Sequence, residues 1–197
     1  MRTQSIRPLQ IHASVRPATE RARHSWWTIA LHWASVVAIL VATTAILWRE
    51  IVEDESLRVQ LMDIHRQAGL FVLVALGLRV AVRLGVGMAD HAGDMSALMR
   101  WAARGAHLML YAMLAALPVV GWAASNAHGV HVKLIGLVAL PGIVRDDPDL
   151  ADLLTDIHLW LSWGLLFLVV AHAGAACWHH YVRRDGVLAA MLPVIKR

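Results

Sequence analysis

The sequence predicts an all-α protein that crosses a lipid bilayer as a four-helix bundle with both termini in the cytoplasm. Three observations lead to this fold class. The chain of 197 residues is 58% hydrophobic and only 16% charged, whereas soluble domains carry about 25% charged residues. Its apolar residues form four blocks, each close to the length of about 20 residues that a helix needs to cross a bilayer. Its basic residues concentrate on one side of those blocks.

The four apolar blocks predict transmembrane spans at residues 28–48, 64–84, 106–124 and 157–178. Each span is expected to be helical, because a bilayer offers no water to bond unpaired backbone groups. The first span is longer than the apolar region of a signal peptide, so we expect the mature chain to keep it. One transmembrane domain at residues 26–184 is predicted, between a basic N-terminal segment at 1–25 and a tail at 185–197.

The longest connection between spans runs from residue 125 to residue 156 and contains an apolar stretch at 132–144. This stretch is too short to cross a bilayer as a helix. We therefore expect it to lie on the outer membrane surface or to cap the outer end of the bundle.

The distribution of charge predicts the orientation. Thirteen basic residues precede the first span, lie at or between the facing ends of the second and third, or follow the fourth, against four acidic residues. The opposite side carries five basic and ten acidic residues. Because basic loops are retained in the cytoplasm, we expect both termini there. The basic residues are spread over separate segments, which argues against nucleic-acid binding. Tryptophans at the span boundaries are expected to be interfacial anchors: Trp26, Trp27, Trp48, Trp101, Trp122, Trp160 and Trp178.

The cysteine content excludes several classes of protein. A single cysteine, Cys177, rules out a disulfide scaffold. It also rules out an iron–sulfur cluster and a covalently attached c-type haem, each of which needs more than one cysteine. Near the inner boundary of the fourth span, Cys177 is expected to be a small core residue.

Five histidines fall inside the predicted spans: His32, His65, His107, His158 and His172. An ionisable side chain in a bilayer is costly unless a partner compensates for lost hydration, so such residues mark functional sites. For a single histidine, a hydrogen bond to a carbonyl of a neighbouring helix is an equally good explanation. Five histidines in four helices favour a shared function.

Four of these histidines pair by depth. The first helix runs outward and the fourth inward, so His32 and His172 lie near the cytoplasmic face, whereas His65 and His158 lie near the outer face. His158 and His172 are 14 residues apart, which is about four turns or roughly 21 Å of rise, so both point into the bundle interior. Two such pairs favour two bis-histidine b haems, since imidazole binds haem iron and haem can replace core side chains.

Other uses of these histidines are less favoured. A zinc site would gather three or four ligands at one depth, but the nearby carboxylates, Asp63 and Asp156, stand two residues before a histidine and hence on another helix face. A proton relay usually includes buried acids, which the spans lack. A histidine-lined transporter without redox chemistry is a third possibility, which predicts a protein with no visible absorption spectrum.

Further polar residues are predicted around the inner haem. Arg79 lies 14 residues after His65, so it shares the inward stripe of that helix and is expected to bind the haem propionates. The alternative for Arg79 is to extend to the lipid headgroups, which is the role expected for Arg83. His107 is the alternative inner ligand, and it could instead line a quinone site or hydrogen-bond a propionate.

The remaining histidines lie outside the spans. His179 and His180 are expected either to accept protons at a quinone pocket or to cap the fourth helix. His128 and His131, in the outer loop, could bind a metal or cover the outer haem edge, although most such histidines are solvated. Surface positions are expected for three others: His12, His24 and His91.

The motifs in these spans resemble the prokaryotic cytochrome b561 family of four-helix di-haem membrane proteins over nearly the whole chain. The most specific feature is the 14-residue histidine spacing on the last helix, followed by His-His-Tyr. The matching pieces, in chain order, are His32-Trp33, Ile64-His65 with Gly69, Gly105-Ala106-His107-Leu108, Ala116-Leu117-Pro118-Val119-Val120-Gly121, His158, His172-Ala173 and His179-His180-Tyr181.

The resemblance implies that His32 and His172 hold the inner haem and that His65 and His158 hold the outer haem. It implies a respiratory-chain protein that relays single electrons between a periplasmic-side donor, superoxide being one, and ubiquinone or another membrane quinone. A basic rim such as Lys133 would guide an anionic donor, as would Arg145. The wider superfamily supports an alternative: a haem b membrane-anchor subunit of a hydrogenase or formate dehydrogenase. The sequence leaves oligomerisation open.

Overall fold

The computed structural model of the protein describes residues 25–86 and 96–192. Its elements are α1 (Trp26–Ile51), α2 (Glu55–Val86), α3 (Ala97–Ala127), β1 (Lys133–Leu134), β2 (Val138–Ala139) and α4 (Pro148–Trp178). A π-helical turn at His179–Arg183 extends α4, and a short 3₁₀ helix follows at Ala189–Met191. Within these residues the prediction of an all-α four-helix protein is confirmed. The N-terminal segment at 1–24, His91 and the last five residues lie outside the described residues.

All four long helices have the length and composition of membrane spans, with mean hydropathies of 2.0, 1.9, 1.7 and 1.8 in chain order. They extend beyond the predicted spans, since α2 begins at Glu55 and α4 begins at Pro148. Capping residues, rather than hydropathy, set these ends. The side chain of Asp147 accepts a hydrogen bond from the Leu150 N–H at the start of α4, which satisfies a backbone donor that has no partner within the helix.

The bundle packs as two close helix pairs, α1 with α2 and α3 with α4, which are joined through α2 and α3. We call the end where α1 begins and α4 finishes the inner end, and the opposite end the outer end. The buried core lies at mid-depth, between the predicted histidine levels, and consists of Ala38, Val72, Leu76 and Leu114. An aliphatic layer therefore separates the two ends of the bundle.

The faces that point away from the core carry large exposed apolar side chains, including Leu40, Phe71 and Phe167, as expected for helices in contact with lipid. Six of the predicted anchor tryptophans are more than half exposed: Trp26, Trp27, Trp48, Trp101, Trp160 and Trp178. Trp122 differs, because its indole Nε1 is buried and has no hydrogen-bond partner among the described residues.

Cys177 was expected in the core, and this prediction is wrong, because the structure places the residue on the exposed surface of α4. The reason is helical periodicity. Cys177 follows His172 by five residues, a rotation of about 140°, so it points away from the stripe on which the histidine lies.

The outer connection forms a small antiparallel hairpin in which Lys133 pairs with Ala139 and Leu134 pairs with Val138. Gln67 on α2 fastens this hairpin to the bundle. Its Nε2 donates to the Lys133 carbonyl at 2.7 Å, and its Oε1 accepts from the Ile135 N–H at 2.9 Å. The apolar stretch thus packs on the outer end, one of the two expected positions, although its strands were not predicted.

The segment after α4 folds back over the inner end of the bundle. The indole Nε1 of Trp33 on α1 donates to the Met191 carbonyl at 2.8 Å. Asp185 contacts the Nδ1 atom of His179 and lies 3.6 Å from the Nε atom of Arg183. Both ends of the bundle are therefore covered by short connecting segments held through side chains.

Candidate functional site

His65 on α2 and His158 on α4 face each other near the outer end, with their ring centroids 5.9 Å apart. The Nδ1 atom of His65 lies 3.0 Å from the Ala42 carbonyl of α1, and that of His158 lies 3.1 Å from the Leu117 carbonyl of α3. A carbonyl only accepts hydrogen bonds, so each Nδ1 carries the proton and donates. Each Nε2 atom then keeps a lone pair, which is the form of histidine that ligates a metal.

A glycine on α3 makes room for the outer pair. A Cβ atom at Gly121 would lie 2.9 Å from Cε1 and 3.1 Å from Nδ1 of His158, which is closer than real Cβ contacts come. The imidazole can therefore lie against α3 and reach the Leu117 carbonyl only because residue 121 has no side chain. The stretch from Leu117 to Gly121, with Pro118 inside the helix, positions His158 through its backbone.

His32 on α1 and His172 on α4 face each other near the inner end, with their ring centroids 6.4 Å apart. Arg79 on α2 points at this pair, and its Nη2 atom lies 3.4 Å from Nδ1 of His32. The Cζ atom of Arg79 also lies 5.4 Å from the ring centroid of Tyr111 on α3. The guanidinium is thus held between an imidazole and a phenol ring.

His107 is a second neighbour of His172. Their ring centroids lie 5.5 Å apart, and the Nδ1 atom of His107 donates to the Ala103 carbonyl of its own helix at 2.7 Å. His172 therefore has two imidazole neighbours at the inner end, whereas His158 has one, His65, among the described residues at the outer end. The distances alone leave both His32 and His107 within reach of His172.

Arg83 was expected to extend to the lipid headgroups, but the structure turns it toward Tyr111. Its Nη1 atom donates to the Tyr111 hydroxyl at 3.4 Å, and its Cζ atom lies 5.7 Å from the ring centroid. Tyr111 was missed in the sequence, although it follows His107 by one helical turn and so shares its face. Gly121 was missed as a packing residue, because its role depends on a side chain from α4.

The geometry of the two pairs was tested against b-type haem. Two imidazoles that ligate one iron have ring centres roughly 6 Å apart, since a metal–nitrogen bond is about 2 Å and a ring centre lies about 1 Å beyond its nitrogen. The measured separations are 5.9 Å and 6.4 Å. The helices that carry these pairs, α4 with α1 or α2, approach less closely than α1 and α2 do, which suits a planar porphyrin. The residues present fit the group.

Among residues 25–86 and 96–192, no group of three or more His, Cys, Asp or Glu side chains is arranged to hold a metal ion. Of the outer-loop histidines, His128 hydrogen-bonds through Nε2 to the Thr155 hydroxyl at 3.2 Å. This hydrogen bond links the end of α3 to α4. His131 instead lines a surface cavity.

This cavity, of about 360 Å³, lies at the outer end of α2, where its lining residue Arg66 adjoins His65 in the sequence. Its polar lining includes Asp63, Arg66, Gln67, His131 and Lys133. The Nη1 atom of Arg66 lies 3.1 Å from Asp63, so these two charges largely compensate each other. Lys133 adds a further positive charge, while Arg145, also predicted for a basic rim, does not line the cavity.

His179 follows His172 by seven residues, or about two turns, so it continues the inward stripe of α4 toward the inner surface. Its Nδ1 atom pairs with Asp185. Burial alone would raise the pKa of Asp185, but the hydrogen bonds from His179 and the Val187 N–H and the nearby positive charges lower it below its usual 3.8. The carboxylate is therefore ionised at neutral pH. His180 stacks edge-on against Tyr181 at 4.8 Å.

Comparison with known proteins agrees with this arrangement. The profile of the family described as prokaryotic cytochrome b561 matches residues 23–194. Cytochrome b561 homolog 2 of Escherichia coli (strain K12) is 28% identical over 171 residues, covering 86% of this chain and 91% of the relative. Cytochrome b561 homolog 1 of the same strain is 31% identical over 173 residues, covering 87% and 97%.

A third relative is named probable superoxide oxidase CybB, from Yersinia pestis. It is 29% identical over 171 residues, which cover 87% of this chain and 96% of the relative. The matches thus extend over most of each protein, and the family profile covers all four helices. The chain belongs to the prokaryotic cytochrome b561 family of multi-pass membrane electron-transfer proteins that bind b-type haem.

Proposed function

We propose that the chain binds two b haems and relays single electrons between a donor at the outer end and a membrane quinone, superoxide being the donor that we favour. The observation that carries this proposal is the pair of facing imidazole couples, 5.9 Å and 6.4 Å apart, at opposite ends of one bundle. A printed name among the relatives, probable superoxide oxidase, supports the choice of donor.

Four histidines are proposed as iron ligands: His65 with His158 at the outer end, and His32 with His172 at the inner end. Haem held by these residues would supply a one-electron centre. The side chains fix the ligand geometry. At the outer end the Ala42 and Leu117 carbonyls hold both Nδ1 protons, so the imidazoles keep their orientation when the charge at the site changes.

The aliphatic layer between the two pairs shapes the electron path. His158 and His172 are 14 residues apart on α4, or roughly 21 Å along the helix. Between them lie apolar side chains, with Leu165 packed against the buried core. This layer excludes water and ions from the middle of the bundle, so charge crosses it as electrons rather than as protons or hydrated ions.

The cavity at the outer end fits an anionic donor. Lys133 presents positive charge in this cavity, where Arg66 is paired with Asp63, and such charge raises the local concentration of a small anion. Two superoxide anions would each lose one electron and leave as oxygen. One quinone would take up both electrons together with two protons and become a quinol. The excess of basic residues at the inner end supports cytoplasmic termini and a location in the bacterial inner membrane.

Spectroscopy and kinetics on the purified protein test the proposal. The reduced-minus-oxidised spectrum should show low-spin b-haem bands, and haem quantification should give about two per chain. Superoxide should reduce the bound haem, and added ubiquinone should reoxidise it. A ratio of one haem per chain, or superoxide consumption no faster than the uncatalysed rate, would contradict the proposal.

The alternative function, a membrane haem subunit of a larger dehydrogenase, predicts a stable peripheral partner. Purification in mild detergent distinguishes the two functions. A stand-alone oxidase should purify as this chain and oxidise superoxide without other proteins. Recovery of a dehydrogenase in fixed stoichiometry, together with no activity of the isolated chain, would favour the subunit.

A further inference from the structure

We infer that Arg79 raises the reduction potential of a haem at the inner histidine pair above that of a haem at the outer pair, and that this difference sets the direction of electron transfer. The inference rests on the proposed function, in that it requires one haem at each pair. It concerns a property that neither the family match nor the relatives assign, namely which end of the bundle has the higher reduction potential.

The inner pair lies against a positive charge. The Nη2 atom of Arg79 is 3.4 Å from Nδ1 of His32, whose ring lies 6.4 Å from that of His172. Its stacking on Tyr111 at 5.4 Å fixes this position on the side facing α3. Since guanidinium keeps its proton at any physiological pH, this charge is present in both redox states of the site.

The outer pair has a different electrostatic surrounding. Its neighbouring arginine, Arg66, is paired with Asp63 at 3.1 Å, so a carboxylate compensates part of its positive charge. Asp156 stands two residues before His158 and adds negative charge near that end. The two histidine pairs are alike in their ring spacing, but among the described residues a carboxylate is paired with the arginine of the outer pair and not with Arg79.

The physical consequence follows from Coulomb's law. Reduction removes one unit of positive charge from a bis-histidine iron site, so a nearby cation favours the reduced form and a nearby carboxylate favours the oxidised form. In a low-dielectric interior such interactions are weakly screened. One electron should therefore move from the outer site to the inner site, with no proton transfer. This step oxidises the outer site and reduces the inner site, which would then pass electrons to quinone.

Redox titration of single-haem variants is the first test. His172→Ala should retain only the outer haem, and His158→Ala should retain only the inner haem. We expect the midpoint potential of the inner haem to exceed that of the outer by at least 59 mV, a tenfold preference for a one-electron couple. Equal potentials, or a higher potential for the outer haem, would overturn the inference.

Substitution of the arginine in the otherwise unaltered chain is the second test. Arg79→Gln should lower the higher of the two midpoint potentials by about 59 mV, a tenfold change, and leave the lower one in place. Arg79→Lys should stay near the unaltered value, because the charge remains. Arg58→Gln, on the same helix but paired with Glu55, is the matched control and should move neither potential.

The outcomes separate this inference from the proposed function. If the unaltered chain binds fewer than two haems, the proposed function fails. If it binds two haems and Arg79→Gln leaves both potentials unchanged, or lowers only the lower one, the inference alone fails. The two tests use different substitutions. If the histidine variants lose both haems, the Arg79 variants still test the inference, and the reverse also holds.

Discussion

The two ends of the bundle carry the same chemical unit, a pair of facing imidazoles, but they hold it in different ways. At the outer end, backbone atoms set the geometry: two carbonyls bind the Nδ1 protons of His65 and His158, and Gly121 lets the second ring lie against α3. At the inner end, side chains set it, since Arg79 faces His32 and His107 adjoins the same pair.

This difference predicts a division of properties. Backbone carbonyls cannot rotate independently of their helix, so the outer ligands should be fixed in orientation and intolerant of changes in nearby volume. Side chains can move and can be replaced without disturbing the backbone, so the inner site should be easier to tune. The following predictions test this contrast, from the largest expected effect to the smallest.

The largest effects are expected from removing a ligand. His65→Ala should lose the outer haem and keep the inner one, which halves the haem content per chain. His172→Ala should do the reverse. Both follow because each substitution leaves only one imidazole of the pair to hold a haem. Haem quantification and reduced-minus-oxidised spectra measure the result, and loss of both haems from either variant would show that the sites are not independent.

His107 and His32 both adjoin His172, so substitution of each tests which of them is the second inner ligand. The ring of His107 lies 5.5 Å from that of His172, closer than the 6.4 Å of His32. With His32 as the ligand, His107→Ala should keep two haems, whereas His32→Ala should lose the low-spin signal of the inner one. The opposite result, in which His107→Ala loses the inner haem and His32→Ala retains it, would reassign the pair.

A smaller effect is expected from adding one methyl group at the outer end. In Gly121→Ala the new Cβ would lie 2.9 Å from Cε1 of His158, so the ring must turn away from the Leu117 carbonyl. Misorientation of a metal-bound histidine typically weakens metal binding by about tenfold or more. Haem titration of the apoprotein should show this loss at the outer haem only.

Gly105→Ala is the matched control, because it lies on the same helix and an added Cβ there would meet nothing within 4 Å. It should bind both haems as the unaltered chain does. If Gly121→Ala also binds the outer haem normally, then α3 can move to make room for the added methyl group. In that case the backbone does not fix the orientation of His158.

The spans and the histidine levels could be predicted from the sequence because both depend on local pattern. Hydropathy over about 20 residues marks a span, and 14 residues between His158 and His172 fix one helix face. The structure confirms the four helices, and it brings each of these histidines to a partner ring. Whether these rings bind iron stays a prediction.

The missed features depend on contacts between distant parts of the chain. Nothing in the local sequence of Gly121 indicates that an imidazole from α4 lies against it. The same is true of Tyr111, which gains its role from two arginines of α2. The outward position of Cys177 could have been derived from its five-residue offset from His172, since that rotation is a property of any helix.

A modest effect is expected from releasing the outer hairpin. Gln67 makes two hydrogen bonds to the backbone of β1 and its turn, which together contribute roughly 1–2 kcal/mol. Gln67→Ala should therefore open the hairpin more often and speed tryptic cleavage after Lys133 about tenfold. Haem content should not change, because Gln67 contacts neither outer ligand. Unchanged cleavage would mean that the apolar contacts of the hairpin hold it without the glutamine.

The smallest expected effect is a difference in acid sensitivity between the inner and outer ends of the bundle. The outer hairpin is held by uncharged hydrogen bonds, whereas the inner segment is held through Asp185, whose pKa is lowered below 3.8 in the folded protein. A carboxyl whose pKa is lower in the folded than in the unfolded protein stabilises the fold at pH values above the unfolded-state pKa. This stabilisation is lost as the pH falls through the folded-state pKa. Acidification from about pH 5 to below the usual Asp pKa of about 3.9 should thus loosen residues 185–192 and not the hairpin.

Hydrogen exchange, corrected for intrinsic rates, measures this difference. Protection of the amides at 185–192 should fall on acidification, while that of the hairpin at 133–139 should stay constant. In Asp185→Asn the inner segment should exchange quickly at both pH values, because the amide retains no charge to pair with Arg183. The effect should be small, since the carboxylate is partly exposed and water screens the pair. Equal acid sensitivity of both segments would show that the ionic contact does not hold the inner end closed.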